Sequence, residues 1–448
     1  MSDNLGMQSS ISTSEPAEAG HLTRTIGLFD LVMISAGSAL GFSIFSVLSP
    51  AAAIGGSGIL VTTVLAAMPM AVFGLVYAFL ASANPRSGAS FEWPREYLHP
   101  FVGFFLSWLR IFGSVGQLTT VSLVLVQYAS MVVPLPVKPA MFALFVIVFL
   151  VNLAGLKVAA KAQSILMIVL LGTLGIFVVT GIGAIRPDNI FPLAPAGLWP
   201  ILLAAPIMIN LFMGIESATE VGEEVVNAER NVPLGILLSL LVIGAVYLSV
   251  AVVALGLVGA KGLAASSAPL VTAAGRSIPS LALTLIVGAA IVSLAKSLNA
   301  SFLIFSRAFY AMGRAGVMPP ALARLSGEAA VPRVAITASF ACLVAGLCLP
   351  SNLVFLFLAS NIPTILKYLT VCLCGVKVSK WRPDVLAAAR MRLSGTSVFA
   401  LSLLGAATAL GLFALGYETD WRPYALIGVW GGIGTLYWVY RSKLGAVA

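Results

Sequence analysis

The sequence predicts an all-α integral membrane protein with about twelve transmembrane helices. Three observations predict it. Of 448 residues, 60% are hydrophobic and only 9% are Asp, Glu, Lys or Arg, where a soluble domain carries roughly 25%. The mean hydropathy is +1.04. The apolar runs are about 20 residues long, far longer than barrel strands. So few charges cannot cover a water-facing surface of this size, which excludes a soluble globular enzyme and a disordered chain. The net charge of +9 does not signal nucleic acid, because the cations sit between apolar runs and not on one polar face.

The elements follow in order. Residues 1–22 are polar, rich in Ser, Glu and Gly, and lack the basic-then-apolar pattern of a cleaved signal; a disordered cytosolic tail is expected. Apolar runs then occupy 27–54, 59–82, 101–133, 138–155, 160–184, 198–222, 234–259, 280–305, 332–350, 353–375, 396–416 and 422–440. They divide the chain into a core of ten spans at 23–377 and a segment 378–448 with a cytosolic loop and spans 11 and 12. With the N-terminus inside, seventeen Lys and Arg fall in inner segments and five (Lys138, Arg186, Lys261, Arg276, Arg422) in outer ones. Three (Arg110, Lys296, Lys367) fall within spans. That asymmetry places both termini in the cytosol, and an odd number of spans would spoil it. The basic stretch Lys377–Arg392 is expected against anionic headgroups.

Cysteine and histidine offer no metal site. Cys342 and Cys348 share one apolar run and Cys372 and Cys374 another, and His21 and His99 flank spans. Buried thiols acting as small hydrophobes are the expectation.

Two spans are interrupted. Span 1 carries Gly37-Ser38-Ala39-Leu40-Gly41-Phe42-Ser43-Ile44-Phe45, and span 6 carries Phe212-Met213-Gly214-Ile215-Glu216-Ser217-Ala218-Thr219-Glu220. They occupy corresponding places if spans 1–5 and 6–10 are two repeats. Paired breaks of this kind point to a transporter site at the bilayer midplane. For span 1 alone, small residues allowing close packing would explain the glycines; the acidic residue of span 6 shifts the balance.

These residues resemble the signatures of the amino acid–polyamine–organocation transporters. The Gly37–Phe45 stretch is similar to the glycine-rich signature of span 1. Pro85-Arg86-Ser87-Gly88-Ala89-Ser90-Phe91 and Pro100-Phe101-Val102-Gly103-Phe104 resemble the loop and the start of span 3. Phe212–Ser217 with Glu224 and Glu229-Arg230-Asn231-Val232-Pro233 resembles span 6. Ser306–Gly316 with Pro319 resembles the end of span 8. The resemblance implies five-plus-five inverted repeats, as in the bacterial leucine transporter, with helices 1 and 6 broken. It implies a substrate with an amino group, moved by alternating access. It also implies that the backbone around Gly37, Ser38, Gly41, Phe42 and Ser43 binds the substrate carboxylate, and carbonyls near Phe212, Met213 and Ile215 its amino group. Half-helix N-termini favour anions and C-termini cations, so the physics agrees.

Three departures stand out. Ser43 replaces the third glycine of span 1, where its hydroxyl adds a donor or narrows the site. Asn210 stands where a pathway aromatic is expected, which leaves Phe212 or another ring as a lid. The position of a span 5 lysine that replaces sodium in proton-coupled relatives aligns with Leu170.

Ionisable groups within spans are costly and are functional candidates by default. Lys296 lies 11 residues before Arg307, about 16 Å deeper along its helix. The resemblance puts it beside the first half of span 1, where sodium sits in sodium-coupled relatives. There it substitutes for the ion, or it is a fixed charge held by span 1 carbonyls; the two readings weigh equally. The resemblance implies that Glu216 couples substrate binding to gating, holding polar groups of span 10 or span 3; alternatively it satisfies free N–H groups at the break. Glu220 and Glu224 share a face if the helix continues, and an inner gate pairing Glu220 with Arg110 or Lys367 is expected. Lys367 also has a reading as partner of an acidic substrate side chain, below its reading as a structural ion pair. Asp30, in the first turn of span 1, favours the helix N-terminus.

The function expected is secondary transport of an amino acid or related amine, by proton symport or exchange. Sodium symport is the alternative. Ser38, Ala39, Asn210, Met213, Gly214 and Thr219 are expected at the wall of the site. An intramembrane enzyme is disfavoured, because no pair of intraspan Asp residues, no His-Glu-x-x-His and no intraspan His is present. A channel fits paired breaks less well. No cofactor is implied. The partners are the substrate, protons and membrane lipid, with no nucleic acid, and no motif specifies an oligomer. A multi-pass protein of a bacterial inner membrane is expected.

Overall fold

The computed structural model describes residues 26–85, 89–154, 160–220, 224–278, 283–326 and 331–443. Arg24, Arg86, Ser87, Lys157 and Glu223, and the side chains of Lys161 and Glu220, lie outside the described residues. The described chain is helical, and its only bridges are isolated ones at Ile26–Val225 and Ser326–Val331. The helices are α1 (Leu28–Ala39), α2 (Ser43–Ser46), α3 (Leu48–Gly55), α4 (Ile59–Ala83), α5 (Ala89–Tyr97), α6 (Pro100–Ala129) and α7 (Val137–Leu153). There follow α8 (Ala160–Ile182), α9 (Pro187–Ile190), α10 (Leu198–Met208), α11 (Ser217–Glu220), α12 (Ala228–Ala264) and α13 (Pro269–Ser277). The last six are α14 (Gly288–Arg314), α15 (Arg333–Gly346), α16 (Leu353–Trp381), α17 (Pro383–Ala388), α18 (Gly395–Thr419) and α19 (Arg422–Lys443). Among the described residues, eight helical stretches are long and apolar enough to cross a membrane. Three shorter apolar helices, Val137–Leu153, Leu198–Leu211 and Arg333–Gly346, accompany them.

Apolar composition makes these helices, since backbone groups in lipid must bond within their own segment. Hydroxyls inside them are satisfied the same way. Thr63 donates to the Ile59 carbonyl at 2.8 Å, Thr120 to Gly116 at 2.8 Å and Ser339 to Ala335 at 2.9 Å. Caps set several starts. His99 Nδ1 accepts from the Phe101 N–H, with Pro100 at the first helical position of α6. Asn352 caps α16 and Ser394 caps α18. Asp30 lies in the first turn of α1. Large apolar side chains such as Ile165, Val179, Leu241, Leu410 and Leu436 are exposed on outer faces, as lipid-facing positions are.

The run expected at 27–54 is three helices, with Leu40–Phe42 irregular between α1 and α2. The run at 198–222 is α10, a tight 3₁₀ turn at Ile209–Leu211, an irregular segment at 212–216, and α11. The stretch expected as a basic loop after residue 377 is helical to Trp381 and again from Pro383.

The packing brings the two interruptions together. The α12 helix packs on α1 and α4, and α6 packs on both α14 and α16. Two glycines let α16 approach α6 closely: a Cβ on Gly113 would stand 3.1 Å from Pro363, and one on Gly116 3.1 Å from the Ser360 nitrogen. At one end, Ile26 donates to the Glu224 carbonyl at 3.1 Å and accepts from Val226 at 3.0 Å, tying the entry of α1 to the segment after α11.

Candidate substrate site between the two interrupted helices

The two breaks face each other and are cross-linked. Ser43 Oγ donates to the Asn210 carbonyl at 3.0 Å, and Ser35 Oγ to the Ile215 carbonyl at 3.2 Å. Tyr247 donates to the Ala39 carbonyl at 2.6 Å. Gly214 has φ +112°, and a Cβ there would stand 3.0 Å from Ser38. Only glycine adopts that conformation at little cost, so Gly214 allows the second break to lie against the first.

The breaks leave backbone groups open. No acceptor among the described residues takes the N–H of Phe42, Ser43 or Ile44, and no donor reaches the carbonyls of Gly37, Ser38, Phe212 or Met213. One wall thus offers N–H groups at a half-helix start, and another offers carbonyls where helix is lost. That pairing suits a carboxylate and an ammonium. Ser43 spends its hydroxyl on the cross-link, so the departure from glycine fastens the two breaks to one another.

Glu216 sits in the second break, 8% exposed. Its Oε1 accepts from Lys367 Nζ at 2.6 Å. Its Oε2 accepts from the Tyr368 hydroxyl at 2.9 Å and from its own break's Gly214 N–H at 3.0 Å. Tyr368 stacks on Phe73 of α4 at 4.9 Å between centroids. One carboxylate therefore holds α16, which carries Lys367 and Tyr368, to the break.

A cavity of about 390 Å³ lies between these elements, within the range of small-molecule sites. Of the sequence-selected residues, Gly37, Ser38, Gly41, Phe42, Ser43, Asn210, Met213 and Gly214 line it, with Glu216, Lys296, Lys367 and Arg110. Ala39 and Thr219, expected at the wall, and Phe212 and Ile215, expected to offer carbonyls to the amino group, do not. The Ala39 and Ile215 carbonyls are bonded as described, Phe212 is fully buried edge-on to Tyr247, and Thr219 donates to the Glu216 carbonyl. Packing turned those residues away from the cavity. Phe42, stacked on Phe357 at 6.1 Å, is an aromatic of the wall, where Phe212 had been expected.

Lys367 pairs with Glu216, because Lys367 and Tyr368 reach the break side by side; the inner gate expected of Glu220 with Arg110 or Lys367 falls on a Glu220 side chain outside the described residues. Glu224 lies beyond α11, so a helical face shared with Glu220 is not present in the described residues. Lys296 and Arg110 have no hydrogen-bond acceptor and no ion-pair partner among the described residues. Lys296 is adjacent to Ser297, whose Oγ would stand 3.2 Å from a Cβ on Gly41.

Sequence reasoning missed Ser107, Ser114 and Gln117 of α6, Ser297 and Ser301 of α14, and Ser360 and Thr364 of α16, all on the cavity wall. The signal was present. Residues 107, 110, 114 and 117 recur at three- and four-residue spacing, the stripe of one helix face.

A helical membrane protein with a polar cavity between two interrupted helices belongs to the class of transporters, and not of enzymes. The chain belongs to the amino acid permease family, which it matches over residues 26–434. It is 32% identical over 313 residues to an uncharacterized transporter of Mycobacterium tuberculosis, covering 69% of this chain and 70% of that one. It is 24% identical over 460 residues to the methylthioribose transporter of Bacillus subtilis, covering 96% of each. It is 24% identical over 447 residues to the branched-chain amino acid permease of the same organism, covering 94% of each. It is a multi-pass membrane protein that transports a small molecule.

Proposed function

We propose that the chain is a secondary transporter for an amino acid or related amine, working by alternating access through twelve spans. In this reading residues 23–377 form two inverted repeats of five spans, residues 1–22 a cytosolic tail, and residues 378–448 a loop with two peripheral spans. Both termini face the cytosol of a bacterial cell. The observation that carries it is the pair of facing breaks, with open N–H groups at Phe42 and Ser43 and open carbonyls at Gly37, Ser38 and Met213, all on the cavity wall. A zwitterion satisfies both sets at once, and it does so only where the two breaks lie opposite each other. The branched-chain amino acid permease among its relatives supports an amino acid.

Glu216 then links substrate to gating. Its carboxylate holds α16 through Lys367 and Tyr368 and holds the break through the Gly214 N–H, so rearrangement of the break on binding is felt by α16. Lys296 places a cation beside the end of α1, the negative end of that helix, and replaces a sodium ion. Proton symport or exchange follows, with no sodium requirement.

Counterflow in proteoliposomes tests this. Purified protein loaded with unlabelled amino acid is expected to accumulate labelled amino acid, saturably, in sodium-free buffer at clamped pH. Non-saturating flux or single-channel currents would refute a carrier. Uptake that collapses when sodium is removed would refute the role given to Lys296.

A further inference from the structure

We propose, resting on the transport reading above, that the substrate carries a second anionic group besides its α-carboxylate: an amino acid with a carboxylate side chain, held by Arg110 and Lys296. The argument is one of charge balance among the described side chains of the cavity wall. Among the described residues, the ionisable ones on the cavity wall are Arg110, Lys296, Lys367 and Glu216. Lys367 and Glu216 neutralise each other at 2.6 Å. Arg110 and Lys296 have no anionic partner among the described residues, and they stand on two different helices, α6 and α14, that pack together.

A neutral zwitterion leaves that excess unchanged. Its carboxylate is taken by the N–H groups of the first break and its ammonium by the open carbonyls, so neither wall cation gains an anionic partner. A side-chain carboxylate relieves it. Arg110 is exposed to the cavity and Lys296 is half-buried on its wall, so an entering carboxylate can reach both, and an arginine fork presents paired N–H donors matched to a carboxylate. The surroundings support an anion. Arg110 shares its stripe with Ser114 and Gln117, and Lys296 has Ser297 beside it and Ser301 a turn further on, all uncharged side chains able to donate, whereas Ser107 donates to the Gly103 carbonyl. The acidic-substrate role that the sequence offered to Lys367 thus passes to Arg110 and Lys296, since Glu216 already occupies Lys367.

The test compares isosteric pairs. Counterflow of aspartate is measured against asparagine, and of glutamate against glutamine, so that only charge differs. The wild type is expected to favour the acid by at least tenfold in kcat/KM. Arg110→Gln and Lys296→Gln are each expected to cut that ratio by tenfold or more, and Arg110→Lys to restore part of it. A gating or folding defect slows acid and amide alike and leaves the ratio in place, so a ratio unmoved in both variants overturns the assignment. So does a wild type that moves the amide as well as the acid. If a variant does not fold, a thermal shift of the wild type by aspartate but not asparagine carries the comparison. Equal shifts, or a shift by asparagine alone, overturn the proposal. Saturable counterflow of neutral amino acids alone refutes this charge assignment, whereas absence of any saturable amino acid counterflow refutes the transport reading itself.

Discussion

At Glu216 one carboxylate serves three donors from two elements: Lys367, Tyr368 and the Gly214 N–H. Removing Lys367 leaves that carboxylate short of its charged partner in a nearly closed site. Lys367→Met is therefore expected to lower stability by about 1–3 kcal/mol, and adding Glu216→Gln to recover part of the loss. Thermal unfolding of the three variants in detergent checks this through the non-additivity of the double mutant. Gly214 is constrained differently. Its φ of +112° and the 3.0 Å approach to Ser38 mean that Gly214→Ala meets both backbone strain and a backbone neighbour. The expected cost is about 1–3 kcal/mol, with loss of transport out of proportion to the loss of protein, measured as uptake per folded molecule. The sequence exposed Glu216 and Gly214 as residues out of place in an apolar run. It did not show which cation meets the carboxylate, because Lys367 lies 151 residues away and only packing decides that distance.

At the scale of elements, the close pair is α6 with α16. Gly113 and Gly116 let α16 approach to 3.1 Å of where their side chains would begin, which brings Arg110 and Lys367 to one cavity. Gly116→Val forces the backbone at Ala359 and Ser360 to give way, and overpacking of this kind costs about 1–3 kcal/mol. The expectation is a lowered melting temperature together with weakened substrate binding, read from a thermal-shift series with and without substrate. An unchanged melting temperature would show that the contact is looser than drawn. On the far side of α6, Trp108 and Trp430 stack at 4.8 Å, and each donates its indole N–H to the other's carbonyl, at 2.8 and 2.9 Å. That reciprocal pair fastens α19 to the core. No periodicity in either helix announced it, since a tryptophan in an apolar run is equally an interfacial residue.

For the whole molecule, the Lys and Arg asymmetry assigns sides, and a native cysteine tests the assignment. Cys348 is exposed at the end of α15, where Lys138 donates to the carbonyls of Leu347 and Leu349. The proposed topology puts that end outside. A membrane-impermeant maleimide added to intact cells is expected to label the protein, and Cys348→Ser to abolish the label, because Cys372 and Cys374 are buried and the half-buried Cys342 lies within the apolar helix α15. Labelling only after the cells are opened would reverse the orientation. Composition and run length by themselves determined a helical membrane protein, the positions of its two interruptions, and the small set of charges within spans. Those properties are local: solvation and hydrogen-bond closure act on one segment at a time. Tertiary structure alone decided that the breaks face each other, that Ser43 links them, that Ala39, Phe212, Ile215 and Thr219 turn from the cavity, and that Lys367 is neutralised by Glu216 while Arg110 and Lys296 meet no anion among the described residues. Those are distances between helices far apart in the chain, set by how side chains interlock across their interfaces.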